Sequence, residues 1–365
     1  MSQTKVEAPF VENNVLFRNK FINGDMNIAQ RATSVTGVTQ DGGHLVVDRF
    51  RINGGATTAG RFTLSQHADG PSVSGLTKCL KFDCTTADTS IAAGELMQLH
   101  YRFEGQHLQD LYKGTAGAKK ITLSFYVKGN ATAKYTASFY DNDNSRLIGQ
   151  TFDVTTSWTR VVLTYNADTT GTLDNDNNNS MALYISLHGG SNYTSGTFSE
   201  NTWEAYSSTR FIGDSTTSFF DSTDREFFIT GVQLEVGDQA SDFEQVPFDV
   251  QLARCKRYYE KIQYEGQVAT MAATSTSAAY ARIECEVEKR ADPTVTLPTA
   301  GNSTNEISVL TAAGSYPGTI GSHAVGNPTP LGFRLQATSY GNLEAGGGLM
   351  LYVNGTVNIE FDAEL

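Results

Sequence analysis

The chain has 365 residues, with 27 basic against 39 acidic side chains, a net charge of −12 and 18% charged residues, below the roughly 25% usual for soluble domains. A surface of that sign repels a phosphate backbone, so no nucleic acid is expected as a partner. No run approaches the ~20 apolar residues of a membrane-spanning helix, so no membrane insertion is expected either.

Residues 1–20 carry little periodicity and read as an N-terminal arm, loose unless a neighbouring subunit holds it. The stretch from Met1 to Asn14 also lacks the basic-then-apolar pattern expected of a secretory signal. From residue 21 to 248, period-2 segments alternate with turn clusters. Leu80, Phe82 and Cys84 fall in phase, which predicts a buried free thiol. The other cysteines, Cys79, Cys255 and Cys285, form neither a zinc-type pair nor a disulfide framework. Met97, Leu99, Tyr101 and Phe103 share one face of a strand, with Gln98, His100 and Arg102 on a face expected to meet solvent. Glu104 to Lys113 reads as a short helix, with Leu108, Leu111 and Tyr112 at helical spacing. The alternation resumes at Ile121/Leu123/Phe125/Val127, Val161/Leu163/Tyr165 and Met181/Leu183/Ile185/Leu187. Trp158 stands just before one of these strands and is expected in the core. Many strands without a βαβ rhythm predict an all-β, antiparallel jelly-roll-like β-sandwich over 21–248.

At Pro247 the pattern changes. Over 249–263 the spacing predicts a short linker helix capped by Asp249, with Leu252, Cys255, Tyr259 and Ile262 on one stripe. That stripe would pack on its own sandwich or form an oligomer seam with the same helix of other subunits. Over 264–365 the alternation returns, at Ala281/Ile283/Cys285/Val287, Leu331/Phe333/Leu335, Leu349/Leu351/Val353 and Val357/Ile359/Phe361. It predicts a second, smaller C-terminal β-sandwich or barrel.

The run Phe17-Arg-Asn-Lys-Phe-Ile-Asn-Gly-Asp-Met-Asn-Ile-Ala-Gln-Arg31, then Val47-Asp-Arg-Phe50, resembles the opening of a group of phage structural proteins. Leu123-Ser-Phe-Tyr-Val-Lys128, Phe228-Ile-Thr-Gly-Val-Gln-Leu-Glu-Val-Gly237, Asp242-Phe-Glu244 and Leu252-Ala-Arg-Cys-Lys-Arg-Tyr-Tyr-Glu260 follow in the order of that group's pieces. The resemblance spans nearly the whole chain. It implies a bacteriophage virion component carrying a carbohydrate-binding-module-like jelly roll, often a tail fibre or appendage. The expected partners are the chain itself as a homotrimer, other virion proteins through the N-terminal arm, and a host-surface glycan. A capsid decoration or capsid-fibre protein is the first rival. The same sandwich serves many roles, so the ligand stays open.

The six histidines lie scattered, and no nucleophile-elbow, zinc-protease or phosphate-loop pattern occurs. No enzyme is expected, with a polysaccharide-degrading activity as the second rival. No cofactor is implied. The tip Asp174-Asn-Asp-Asn-Asn-Asn179 gathers oxygens that Ca²⁺ accepts, with Asp174 and Asp176 as metal candidates. It lacks the glycine and distal Glu of a calcium loop, and a solvated hairpin tip is the plainer reading. In the loop-rich stretch from His188 to Thr217, Trp203, Tyr193, Tyr206 and Asn192 are the candidate glycan-binding residues. Sugars present C–H faces to aromatic rings and hydroxyls to amides. The alternative for Trp203 is that it closes the sandwich.

Overall fold

The computed structural model describes residues 17–73, 75–213, 215–301, 303–311, 314 and 321–365, so most of the expected arm lies outside the described residues. The chain divides between Phe248 and Asp249 into two compact units.

In unit 1 the strands are β1 (Ser34–Val38), β2 (Arg51–Gly54), β3 (Arg61–His67), β4 (Cys79–Thr86), β5 (Leu96–Glu104) and β6 (Ile121–Gly129). They continue with β7 (Ala133–Asp141), β8 (Arg146–Val154), β9 (Thr159–Tyr165), β10 (Asn179–Gly189), β11 (Glu204–Ala205) and β12 (Glu226–Val236). They form two antiparallel sheets, ordered β1-β3-β4-β12-β6-β9 and β11-β8-β7-β10-β5-β2. The unit is a jelly-roll-like sandwich, as the alternation implies. Met97, Leu99, Tyr101 and Phe103 of β5, Met181, Leu183, Ile185 and Leu187 of β10, and Leu123, Phe125 and Val127 of β6 meet in one core, with Cys84 among them. Burying such side chains contributes about 1.5–3 kcal/mol each.

The N-terminal pieces of the resemblance are structural staples. Asn19, buried, accepts from the Leu234 amide through Oδ1 (3.0 Å) and donates to the Val232 carbonyl (3.1 Å). Asn23 donates to the Ile28 and Asp48 carbonyls and accepts from the Ile28 amide. Asp48 in turn accepts from the amide of Gln30 (2.9 Å) and from its side chain (2.5 Å). Gly24 is needed because a Cβ there would stand 2.1 Å from the Val232 oxygen. Phe17 and Asn19 both donate backbone N–H groups to Glu244 (2.7 and 2.9 Å). From Phe17 onward, therefore, the expected arm is part of the sandwich, held by backbone hydrogen bonds that a loose tail would leave to water.

Several expectations are corrected. Over 104–113 there are two 3-10 turns, Gly105–His107 and Gln109–Leu111, rather than an α-helix. Leu108 and Leu111 are buried, while Tyr112 is left-handed (φ 50°) and 55% exposed. Trp158 does not belong to the core cluster. It packs edge-on against Phe228 (6.2 Å), and its indole donates to Asp69 (3.4 Å). The Lys128 ammonium lies 5.3 Å from its ring and 4.6 Å from that of Phe228. A half-exposed aromatic paired with a cation tolerates that position better than a lone indole would.

A helix over Phe248–Lys256, all but its first residue in unit 2, places Asp249 in the first turn, where its charge favours the helix dipole. The strands of unit 2 are β13 (Tyr259–Ala273), β14 (Ala279–Glu284), β15 (Thr294–Thr296), β16 (Glu306–Thr311), β17 (Ser322–Thr329), β18 (Gly332–Thr338) and β19 (Gly348–Asp362). They pair in the order β15-β19-β13-β14-β18-β17, with β16 also on β19. The outer strands β15 and β17 touch, so the sheet curls nearly into a barrel around Ile283, Val309, Phe333, Leu351, Ile359 and Phe361.

The single helical stripe expected over 249–263 does not form. The helix ends at Lys256, and Tyr259 and Ile262 lie on β13, opposite Asp362 and Ile359 of β19. The adjacent aromatics Tyr258 and Tyr259 favour extended chain. Glu260, moreover, is fixed by a buried ion pair with Lys289 (2.6 Å). Cys255 and Tyr259 are buried while Leu252 and Ile262 are half-buried, so the four residues present no common seam.

Candidate functional site

Outward positions of β7, β10, β5 and β2 line up across the second sheet. One row runs Ser138–Tyr184–His100–Arg51, and the next runs Thr136–Ser186–Gln98–Asn53. The face expected to meet solvent is instead covered. Gln98 and His100 are each 1% exposed, because the segment after β10 folds back over the sheet. The Gly213 amide donates to Thr136 Oγ1 (2.9 Å), the Thr217 amide to the Lys134 carbonyl (2.8 Å), and the Ile212 amide to the Tyr193 carbonyl (3.1 Å).

Where this covering stops, a cleft of ≈ 260 Å³ opens, lined by Asn53, Leu96, Gln98, Tyr140, Tyr184, Tyr193, Tyr206 and Phe211. Its rings brace one another edge to face. Tyr206 meets Tyr140 at 5.1 Å and Phe211 at 6.0 Å, and Tyr184 meets Phe211 at 5.0 Å. Tyr184 also stacks on His100 at 4.2 Å. Gly55 leaves room for the Tyr193 hydroxyl, which would sit 2.8 Å from any Cβ there. Beside the rings, Gln98 donates to Ser186 (2.9 Å) and Asn53 meets Gln98 at 3.5 Å. Burial pushes the Tyr184 phenol up to about 12 and raises that of Tyr206, so both remain protonated donors at neutral pH. Flat apolar faces rimmed by hydroxyls and amides suit a polar ligand with C–H faces.

Of the expected glycan residues, Tyr193 and Tyr206 enter this cleft. Asn192 is exposed on the helical turn Ser191–Thr194 beside Tyr193, its amide held by the Ala93 carbonyl (2.9 Å), and it does not line the cleft. Trp203 lies elsewhere. It packs against the main core, its indole donates to the Asn166 carbonyl (2.8 Å), and the Lys113 ammonium sits 5.2 Å from its ring. Lys113 is in turn held by buried Asp141 (2.5 Å) and Asp168 (3.1 Å). Trp203 thus closes the sandwich. Sequence reasoning missed Tyr140 and Tyr184. The available signal was a tyrosine at the outward position of an otherwise amphipathic strand, between Phe139 and Asp141 and between Leu183 and Ile185.

Asp174 and Asp176 serve the turn they sit in. The Asp174 amide donates to Asp143 (2.9 Å), and the Asp176 carboxylate accepts from the Asn178 amide (2.9 Å) and side chain (2.5 Å). Among the described residues no three His, Cys, Asp or Glu gather as metal ligands.

A Ser–His–carboxylate relay does occur. His188 Nδ1 meets Ser218 Oγ at 2.9 Å, and Nε2 meets Glu95 at 3.1 Å. The ring is fully buried, with Phe220 against it at 5.2 Å. Burial lowers its pKa against the opposing pull of Glu95. The relay staples the returning segment to β10.

No family model matches the chain, and no curated protein matches it in sequence. Among solved structures, a family 11 carbohydrate-binding module from Clostridium thermocellum with a mixed-linked tetrasaccharide is similar at 12% identity. It covers 57% of this chain and 99% of that one, with a TM-score of 0.28. The CBM22-1 xylan-binding domain from Paenibacillus barcinonensis is similar at 13% identity, over 57% of this chain and 98% of that one, with a TM-score of 0.27. The tandem CBM22-1–CBM22-2 domain of the same organism matches at 10% identity over 92% and 100%, with a TM-score of 0.26.

Proposed function

We propose that this chain is a non-enzymatic structural subunit of a bacteriophage particle, a fibre or appendage, whose first unit holds a host-surface glycan in the tyrosine cleft. The observation that carries the glycan reading is the convergence of Tyr140, Tyr184, Tyr193, Tyr206 and Phe211 on one cleft floored by Asn53 and Gln98. Rings braced edge to face lose little freedom on binding, which lowers the entropic cost of holding a sugar. The phage reading is supported by the ordered sequence pieces from Phe17 to Glu260.

A glycan array probed with the whole chain, and with Tyr184→Ala and Tyr206→Ala, tests the cleft. The unaltered chain should bind at least one polysaccharide, and each variant should weaken that binding about tenfold, the loss of one well-stacked ring. Binding that survives both substitutions undiminished would discard the cleft. Antibody labelling of whole virions viewed in negative stain tests the particle, and light scattering of the purified chain tests the expected trimer.

A further inference from the structure

Arg51 and Asn53 leave β2 on the same face, two residues apart. Arg51 stands opposite His100, and Asn53 opposite Gln98. Asn53 and Gln98 line the cleft, and Arg51 stands one outward position beyond them on β2, beside the lining rather than in it. Arg102 follows His100 by two residues on β5, on the same face. Both guanidiniums act on the Tyr184 phenol, and both, with His44, add to burial in keeping His100 neutral. His100 is 1% exposed, with neither ring nitrogen hydrogen-bonded among the described residues, and it lies flat beneath Tyr184. Arg51 is largely covered (side chain 19% exposed), its Nε has no hydrogen-bond partner among the described residues, and the acid it meets, exposed Asp41, stays 3.9 Å away. Tight guanidinium–carboxylate pairs close to about 2.8 Å. A chain of net charge −12 thus places two guanidiniums on the same face of β2 and β5, beside its tyrosine cleft.

We infer that the cleft takes a carboxylate-bearing polysaccharide, with Arg51 receiving the carboxylate and the tyrosine faces receiving the sugar rings. This rests on the glycan-binding role proposed above and names its ligand class. Arg102 adds long-range attraction, and neutral His100 keeps the Tyr184 ring in position.

The test uses the unaltered chain in titration calorimetry against polygalacturonate, alginate and hyaluronan, each beside its own carboxyl-reduced form, with neutral xylan and mixed-linkage glucan alongside. At least one acidic polymer should bind about tenfold more tightly than its reduced form, the worth of one charge-assisted hydrogen bond. Raising the salt should weaken only the acidic form. Arg51→Gln should remove that preference, with the loss falling mainly on the acidic form, whereas Arg51→Lys should retain part of it. If Arg51→Gln fails to fold, the comparison of acidic and reduced polymers on the unaltered chain still decides. Equal binding of both forms overturns the acidic ligand while leaving the glycan role intact. Binding of neutral glycans alone does the same. Binding of no glycan, acidic or neutral, removes both.

Discussion

Replacing Asn23 by Ala tests whether the N-terminal motif is a staple of the sandwich. Its side chain is fully buried and makes three hydrogen bonds, to the Ile28 carbonyl (2.8 Å), the Asp48 carbonyl (3.1 Å) and from the Ile28 amide (2.9 Å). At about 1 kcal/mol net for each, their loss costs about 3 kcal/mol. The residue is also left-handed (φ 62°), a conformation Asn tolerates and Ala resists by about 1 kcal/mol. The sum is about 4 kcal/mol, or about 10 °C in the melting midpoint of a unit this size. Both tryptophans, Trp158 and Trp203, belong to unit 1, so tryptophan fluorescence during urea or thermal unfolding reads this unit alone. Asn23→Gly relieves the backbone strain but not the lost bonds, and should recover about 1 kcal/mol. A shift below about 2 °C in both variants would refute the reasoning, because it would mean the three backbone groups find equal partners elsewhere.

Lys289→Met should destabilise unit 2 by about 3 kcal/mol, since it removes the closest cation from the fully buried Glu260 carboxylate and leaves it only Lys256 at 3.5 Å and the Glu286 amide at 3.1 Å. Adding Glu260→Gln should recover much of that in far-UV unfolding curves, and additive losses would contradict the pairing. Burial holds His323 down at about 4, where its Nε2 faces the Tyr340 hydroxyl (2.7 Å). The unfolded imidazole titrates near 6.5, so it binds the proton that the folded one refuses between these values. Stability from His323 is therefore complete above about pH 6.5, falls by up to about 3 kcal/mol as pH drops to about 4, and is level below. His323→Gln should flatten that limb of the stability profile, and an unchanged slope would assign it to other groups. Trp203→Phe should cost about 1–2 kcal/mol through the lost indole hydrogen bond and cation contact, yet leave glycan affinity unaltered in calorimetry. Weakened binding in a folded variant would return Trp203 to the site.

Legibility in the sequence follows the range of the interaction. The inward residues of β5, β6 and β10 could be read because strand periodicity is local: a side chain's face follows from its parity. What covers the opposite face is not local. His100 and Gln98 looked solvated because their cover, the segment through Phe211 and Ile212, lies about a hundred residues further on. The helix over 249–263 failed for a related reason. Leu252, Cys255, Tyr259 and Ile262 keep helical spacing, but pairing of Tyr259 and Ile262 with β19 and the buried Glu260–Lys289 pair favour extended chain after Lys256. Over 104–113 a spacing of three between Leu108 and Leu111 served two tight turns as well as it would have served a helix.

The residues that make this chain resemble other proteins and those that line its cleft are different sets. Asn19, Asn23, Asp48 and Glu244 satisfy backbone groups that the sandwich would otherwise bury unpaired, and Gly24 leaves room for the Val232 oxygen. None of them lines the cleft, whose tyrosines stand on outward strand positions and on the returning loop. A hydrogen-bonded staple constrains sequence tightly, because each replacement leaves a buried backbone group without a partner. An outward position, one residue from the inward positions on either side, is free to carry any side chain the ligand requires. A motif of staples therefore identifies a scaffold, and its ligand has to be read from the side chains between the staples. In this chain those are tyrosines, with Arg51 beside them on β2, so ligand choice should follow Tyr184 and, on the inference above, Arg51, while folding follows Asn23.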